Sequence, residues 1–308
     1  MMNDAEARLM QWNLDAASGQ ALGHRRPPGD IRDLIRASEG LPPLPEISHR
    51  LLTLQNDPNA TVSMLADIVE LDPLLSTQML RWANSAYYGL REPVTAVRDA
   101  IMRSLGYELA LNLALALAAL SPLKTPNAGP IARDAIWHHG VKCGELMREI
   151  AKTLPSDRRP PSGLIQFVGL TQNIGYLLLG HLLPEQFRFL SRLVEANPTL
   201  TLPEVDRLVL GVDHTQLGLW LFDAWDMPAA SRAVVRHHHN PSYQGAHHNL
   251  VLLTCLADSL LDDSPWRLGA KPSALDRQAI LDQLGISVEE CGKVIKTVMQ
   301  HQDHIHTG

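Results

Sequence analysis

The sequence predicts an all-α protein built of two helical lobes. Apolar residues recur at helical spacing along most of the chain, as expected for amphipathic helices. Prolines, glycines and capping residues separate these stretches, and none shows the clean alternation of a half-buried strand. With 308 residues and 45% hydrophobic content, the chain is long enough to bury a substantial core.

The sequence of residues 65–90 predicts a helical hairpin around which the N-terminal lobe is organised. Asp72 is a good N-cap because its carboxylate can accept an unpaired backbone N–H of the next helix. Pro73 then fits the first helical position, where no N–H donor is needed. We therefore predict helices over residues 62–71 and 73–87.

The remaining N-terminal elements follow from turn signals and apolar runs. Residues 1–30 predict a flexible extension, because they end in a stretch rich in Gly, Pro and Arg. The run over residues 109–120 predicts a helix buried on all sides. The other predicted helices are 31–38, 46–56, 96–104 with Thr95 as N-cap, and 108–120 as the full extent of the buried helix.

Residues 121–130 contain Pro, Gly and Asn and predict a linker between the lobes. The N-terminal lobe would span residues 31–122, and the second lobe residues 131–308. The helices predicted for the second lobe are 131–154, 164–183, 184–196, 203–210, 215–225, 228–238, 249–261, 275–284 and 288–301.

Bulk properties argue against several classes of function. Charged residues make up 19% of the chain and the net charge is −6, so no broad basic field favours nucleic acid or anionic lipid. The longest apolar run is shorter than the ~20 residues of a membrane span, and the first residues do not form a signal peptide. Cys143, Cys255 and Cys291 lie far apart, as expected for buried reduced thiols in a cytoplasmic protein.

The 14 histidines include adjacent pairs and a triplet, which must be tested as a metal site because imidazole is the commonest protein metal ligand. These runs are His138-His139, His237-His238-His239 and His247-His248.

Three motifs resemble the HDOD family, bacterial signalling domains related to the HD phosphohydrolases. They are Leu41-Pro42-Pro43-Leu44-Pro45, Asp72-Pro73 and the string Leu-Arg-Trp-Ala-Asn-Ser-Ala-Tyr-Tyr-Gly at residues 80–89. The resemblance covers residues 41–258. It implies the helical fold of that family and an HD-like second lobe.

In HD phosphohydrolases, histidines and aspartates on separate helices hold one or two divalent metals, with an adjacent His-Asp pair at the centre. The resemblance places Gln172 and Asn173 at that pair. Neutral amides supply neither the charge nor the imidazole nitrogen of the pair, so we expect a degenerate site with no catalytic residue, no bound metal and no other cofactor. The other positions that the resemblance assigns to this site are His138, His139, His214, His238, His239 and Asp258.

These polar residues have three interpretations. We favour a hydrogen-bonded structural relic, because buried polar groups need partners. A ligand-sensing pocket is the second interpretation. Adventitious Zn²⁺ binding by His214, His238 and His239 is the third.

The resulting prediction is a non-catalytic bacterial regulatory module that acts on a signalling protein in trans, for example a cyclase, phosphodiesterase, kinase or transcription regulator. The candidate contact surface is Arg81, Asn84, Tyr87 and Tyr88, in a groove between the lobes.

Two alternatives remain open. One is a metal-dependent phosphohydrolase or phosphodiesterase acting on a nucleotide or cyclic dinucleotide. The other is a nucleotide sensor without hydrolysis, with Arg81, Arg91, Arg98 and Arg103 as candidate phosphate contacts.

Overall fold

The structure is a computed structural model. It describes Ile31, Ile35 and residues 40–85, 90–261, 267–269 and 277–300, without the side chains of 297, 299 and 300. The ordered elements in this part of the chain are helices, and no strand occurs among them, which confirms the predicted all-α class.

The N-terminal helices follow the predicted order. They are α1 (Glu46–Gln55), α2 (Val62–Glu70), α3 (Pro73–Ala83), α4 (Val97–Ala100), which continues into a π-helical turn (Ile101–Leu105), and α5 (Tyr107–Leu120). Ile31 and Ile35 are also helical, and the rest of the predicted 31–38 helix lies outside the described residues, as does the 1–30 extension.

The C-terminal helices begin after the proline-rich linker. They are α6 (Arg133–Ala151), α7 (Ser162–Thr171), α8 (Ile174–Leu182), α9 (Pro184–Ala196), α10 (Leu202–Leu210), α11 (His214–Ala224), α12 (Ala229–His237), α13 (His248–Leu260), α14 (Arg277–Leu284) and α15 (Val288–Gln300). No helix among the described residues combines the length and the apolar character that crossing a bilayer requires.

The α2–α3 hairpin forms as its capping residues predict. The Asp72 carboxylate accepts hydrogen bonds from the backbone N–H groups of Leu74 and Leu75, at 2.9 and 3.1 Å. Pro73 is the first residue of α3. The helix ends at Ala83, so the prediction that it continues to residue 87 is wrong for Asn84 and Ser85. Residues 86–89 lie outside the described part of the chain.

Asn84 ends α3 by bonding to a distant loop. Its amide nitrogen donates to the Val94 carbonyl at 2.8 Å, and its amide oxygen accepts from the Val94 N–H at 2.7 Å. Both halves of the side chain are therefore used to fix the connection between α3 and α4.

The predicted helix 96–104 differs from the structure in its start and its end. It begins at Val97 after Ala96, and Thr95 does not cap it. Burial of Val94 and Val97 sets the position of this segment, which outweighs the capping preference of Thr95. The last turn widens to a π-helix, closed by the Gly106 N–H donating to the Ile101 carbonyl at 2.8 Å.

Helix α5 is the centre of the core. Every residue from Leu109 to Leu120 is buried, which confirms the prediction of a helix buried on all sides. It packs against α1 and α3 and also against α7. Because α5 contacts helices on both sides of the linker, the boundary between the two predicted lobes stays a prediction.

The predicted helix 164–183 is wrong, because it is two helices separated by Gln172 and Asn173. Asn173 has φ −97° and ψ 18°, outside the helical region. Two residues later, a Cβ on Gly175 would collide with the backbone carbonyl of His214. The break thus turns α8 so that its backbone can contact α11, which no local breaker residue signals.

The proline segment before α1 is tied to the C-terminal helices. Pro42 lies outside any helix, and its carbonyl accepts a 2.7 Å hydrogen bond from the Trp225 indole N–H. Trp225 is only 4% exposed and follows the end of α11.

The three cysteines are free and buried, as predicted.

Candidate functional site

The turn between α10 and α11 places His214 at the centre of a buried polar cluster. Gly211 ends α10 in the left-handed conformation, with φ 73°. Asp213 then caps α11 by accepting from the Gln216 N–H at 3.1 Å. His214 is therefore the first residue of α11, and it is fully buried.

Asp206 orients the His214 ring. Its carboxylate lies 2.6 Å from Nδ1 of His214 and also accepts from the His214 backbone N–H at 3.1 Å. The hydroxyl of Tyr176 donates to the same carboxylate at 2.9 Å, and its ring stacks on His214 with centroids 4.3 Å apart. A carboxylate is an acceptor only, so Nδ1 of His214 carries a proton, and in the neutral ring Nε2 offers a lone pair.

His238 and His239 complete a triangle of imidazoles with His214. Their Nε2 atoms lie 3.3 and 3.2 Å from Nε2 of His214. Nδ1 of His238 lies 3.1 Å from the carbonyls of Val234 and Val235, so this nitrogen donates and Nε2 is again a lone pair.

Protonation of His238 and His239 is disfavoured. Burial, followed by the charge of His214, lowers the pKa of His238 to about 4. Burial and the charge of His238 lower the pKa of His239 well below its ordinary value. Two neutral imidazoles that face each other with lone pairs repel, so the arrangement favours an electron-pair acceptor between them.

Asp258 and His139 lie beside the triangle. An oxygen of Asp258 is 2.7 Å from Nε2 of His139, and its other oxygen is 3.5 Å from Nδ1 of His239. Although burial alone would raise it, the hydrogen bond and charge of His139 hold the pKa of Asp258 well below its ordinary value. Asp258 is therefore a carboxylate at neutral pH.

Gln172 and Asn173 are buried at the break between α7 and α8, with exposures of 0% and 3%. The Gln172 amide lies beside the thiol of Cys143, which is one helical turn beyond His139 on α6. Burial, and then the charge of Asp258, raise the pKa of this thiol. Neither polar atom of Gln172 nor the Asn173 oxygen makes a well-formed hydrogen bond. The amides thus lie next to the cluster and leave part of their hydrogen-bonding capacity unused.

Close backbone packing fixes this geometry. A Cβ at Gly175 of α8 would collide with the His214 carbonyl and lie 2.9 Å from the Gly218 nitrogen of α11. On the other side, a Cβ at Gly140 of α6 would lie 2.9 Å from the Gly169 carbonyl of α7. Glycine at these positions lets four helices approach closely around the cluster.

The cluster reaches the surface at one side. A polar cleft of about 540 Å³ has His239 in its wall. Arg207 and Arg236 also line it, and both are engaged: Arg207 with Asp213 at 3.0 Å, and Arg236 with Thr215 at 2.7 Å.

The structure brings together most of the site residues that the sequence predicts. His139, His214, His238, His239 and Asp258 converge. His138 does not, because it points to an exposed face of α6 and lines a different cleft.

Two residues of the cluster were missed by the sequence analysis. Asp206 lies on the apolar face of α10, between the buried residues Val205 and Val209. A carboxylate at a core position must have a partner, so its place in the helical pattern was an available signal. Tyr176 lies within an apolar run and gave no such signal.

The candidate contact surface is partly described. Arg81 is exposed at the end of α3. Asn84 is also exposed, but its amide is committed to Val94. Tyr87 and Tyr88 lie outside the described residues.

Residues 41–241 match the HDOD domain family, a match that covers more than half of the chain. The protein belongs to the HDOD family. This HDOD chain is thereby related to the HD phosphohydrolases.

Three relatives illustrate the similarity. A protein from Marinobacter aquaeolei VT8 named for signal transduction has 30% identity and a TM-score of 0.77, covering 99% of this chain and 65% of that one. An HDOD domain protein of unknown function from Geobacter sulfurreducens has 21% identity and a TM-score of 0.72, covering 98% and 97%. An uncharacterized protein of Treponema pallidum (strain Nichols) is 24% identical over 202 residues, 64% of this chain.

The chain spans only part of two of these relatives: 38% of the Treponema protein and 65% of the Marinobacter protein. The activities of these longer proteins as a whole therefore do not follow for this chain.

Proposed function

We propose that this HDOD protein is a non-catalytic regulatory module of bacterial signalling that acts in the cytoplasm through contacts with another signalling protein. The observation that carries the proposal is the burial of Gln172 and Asn173 beside the histidine cluster, because the resemblance assigns these two residues to the metal-binding His-Asp pair. Neutral amides lack the charge that holds a divalent ion and its bound water.

The remaining carboxylates support the same conclusion. Asp258 is hydrogen-bonded to His139, and Asp206 is engaged by His214 and Tyr176. Each carboxylate thus has a protein partner. We therefore interpret the cluster as a hydrogen-bonded network that stabilises the helices around it.

The partner surface we propose is the exposed end of α3 with the adjoining linker. Arg81 is exposed there, and Asn84 fixes the following loop through Val94. The partner classes we propose are cyclases, phosphodiesterases, kinases and transcription regulators.

The decisive experiment restores the missing pair. The purified chain is assayed with a phosphodiester substrate and with cyclic dinucleotides in Mn²⁺, Fe²⁺ or Zn²⁺. We expect the unmodified chain to show no metal-dependent turnover, that is, none that disappears when a chelator is added. In the double variant Gln172→His/Asn173→Asp, the metal content per chain should rise. A matched control is Asn112→Asp, because Asn112 is a buried amide bonded to Gln55 on α1, where a new carboxylate should bring no metal. Chelator-sensitive turnover by the unmodified chain would refute the proposal.

A second candidate is a metal-dependent phosphohydrolase. It is favoured by the three Nε2 atoms that converge on one point, since His214, His238 and His239 fit a divalent ion as neutral nitrogen ligands. A bound divalent ion would supply Lewis-acid activation of water. Asp206 would hold the His214 ring in the ligating tautomer.

Turnover separates the two candidates, because metal binding alone is compatible with both. The hydrolase requires activity that is lost with chelator and in His214→Ala. A metal ion present without turnover leaves the regulatory proposal in place.

A further inference from the structure

A second cleft, of about 540 Å³, lies between α3 and the start of α6. Leu74, Gln78 and Arg81 line it from one face of α3, at the spacing that puts them on the same side of a helix. The opposite wall carries Arg133 and Trp137 of α6. The apolar floor is formed by Leu117, Leu120, Ile136, Leu170 and Leu177.

The two arginines of this cleft are uncommitted. Arg81 and Arg133 are exposed, and neither guanidinium makes a hydrogen bond or an ion pair within the described ranges of the chain. The one carboxylate in the lining is Asp134, which accepts a 2.6 Å hydrogen bond from the amide of Asn127. The cleft therefore holds an excess of positive charge in a protein whose net charge is −6.

The apolar part of the cleft is suited to a flat group. The Trp137 indole is half-buried and packs edge-on against Trp82, with ring centroids 6.4 Å apart and planes at 89°. The Gln78 amide lies on the same wall as Arg81 and makes no hydrogen bond in the part of the chain that the structure describes. Its donor and acceptor can read the edge of a heterocycle.

We propose that this cleft binds a mononucleotide, with the phosphate on Arg81 and Arg133 and the base on the Trp137 side. Guanidinium groups match phosphate oxygens bidentately, and stacking against an aromatic ring orients a planar base. An alkyl chain would leave the Gln78 amide without a partner, whereas a base and a ribose offer it both donors and acceptors.

The sequence analysis names four arginines as candidate phosphate contacts, and the structure shows that they differ in position. Arg81 lines the cleft, whereas Arg91, Arg98 and Arg103 do not. Arg103 is exposed in the π-helical turn and makes no hydrogen bond or ion pair there, so it serves as a matched control.

The inference deepens the proposed regulatory role by naming an input, and its test is independent of that role. The cleft and the histidine cluster lie on different sides of α6, because Trp137 and His138 face the cleft and His139 faces Asp258. Nucleotide binding by the purified chain is measured without a partner, so its failure would leave the regulatory proposal standing, and the reverse also holds.

The test is calorimetric titration of the full chain with adenosine monophosphate in the presence of EDTA. We expect saturable one-to-one binding. Adenosine alone and inorganic phosphate alone should bind at least about tenfold more weakly, because each supplies one half of the contacts. Arg81→Gln and Arg133→Gln should each weaken binding about tenfold, and Arg103→Gln should leave it unchanged.

Three outcomes would overturn the inference. They are the absence of saturable binding at millimolar nucleotide, equal binding by the Arg81→Gln and Arg133→Gln variants, and tighter binding of a medium-chain carboxylate than of adenosine monophosphate. Circular dichroism checks that the variants are folded, as expected for substitutions of exposed side chains.

Discussion

The histidine cluster and the α3–α6 cleft are two polar regions that share helix α6 and differ in how their charges are satisfied. In the cluster, Asp206 and Asp258 are buried and bonded to His214 and His139. In the cleft, Arg81 and Arg133 are exposed, and their guanidinium groups make no hydrogen bond or ion pair among the described residues. The difference indicates that the cluster contributes to stability, whereas the cleft is available for a ligand.

The close approach of α8 and α11 is the most sensitive point of the cluster. Gly175→Ala should lower the free energy of unfolding by about 3 kcal/mol, because the new Cβ meets backbone atoms that cannot move aside. Urea unfolding measures the change. The control is Gly292→Ala in α15, where nothing lies within 4 Å and a gain of about 0.5–1 kcal/mol is expected. Equal stability of the Gly175→Ala variant and the unmodified chain would show that the helices pack differently.

Asp206, one of the two buried carboxylates of the cluster, should make the next largest contribution to stability. Asp206→Asn removes the negative charge and replaces one acceptor oxygen by an NH2 donor, so it cannot accept from both His214 and Tyr176 as the carboxylate does, and it should cost about 2–3 kcal/mol of unfolding free energy. Asp223→Asn is the matched control, since Asp223 pairs with Arg232 at 3.4 Å on the exposed surface and should change stability by less than about 0.5 kcal/mol. Similar losses in the two variants would contradict a structural role for the cluster.

The stability of the cluster should fall in acid. The folded-state pKa of His238 is lowered to about 4, so the unfolded chain binds this proton first. The associated stability is complete above the ordinary value of 6.5 and is lost as the pH falls toward 4. From pH 7 to pH 5, His238 should account for a loss of about 2 kcal/mol.

Urea unfolding in EDTA at both pH values measures this loss. In His238→Gln the dependence on pH should be weaker, while substitution of the exposed His49 should leave it unchanged. A stability that rises between pH 7 and pH 5 would mean that the folded cluster takes up the proton.

The cleft should show the opposite behaviour. Arg81→Gln and Arg133→Gln should each change the unfolding free energy by less than about 0.5 kcal/mol, because exposed side chains without partners contribute little. Thermal and urea unfolding test this directly. A large loss in either variant would assign the arginines to the structure and remove the contrast with the cluster.

The sequence was sufficient where local chemistry decides the structure. Asp72 and Pro73 start α3 as their capping preferences predict, and the apolar run Leu109–Leu120 is buried throughout. It failed where distant contacts decide. The break at Gln172 and Asn173 depends on the contact between Gly175 and His214, which lie in different helices.

The same division applies to the site. The resemblance to the HDOD family named His214, His238, His239 and Asp258, and the structure places these four residues together. The resemblance could not separate His138 from His139, since adjacent residues differ only in which side of α6 they face. Asp206 was missed because its partner is made by the turn from α10 to α11, and the resemblance does not include it.

The hydrogen bond from Trp225 to Pro42 joins residues 183 positions apart in the chain. The segment before α1 therefore closes over the end of α11, and its departure would uncover an indole that is now only 4% exposed. This bond and the packing of α5 against α7 connect the N-terminal and C-terminal helices, so we expect them to unfold as one cooperative unit. A cut in the linker at residues 121–130 would consequently yield two fragments that do not fold independently.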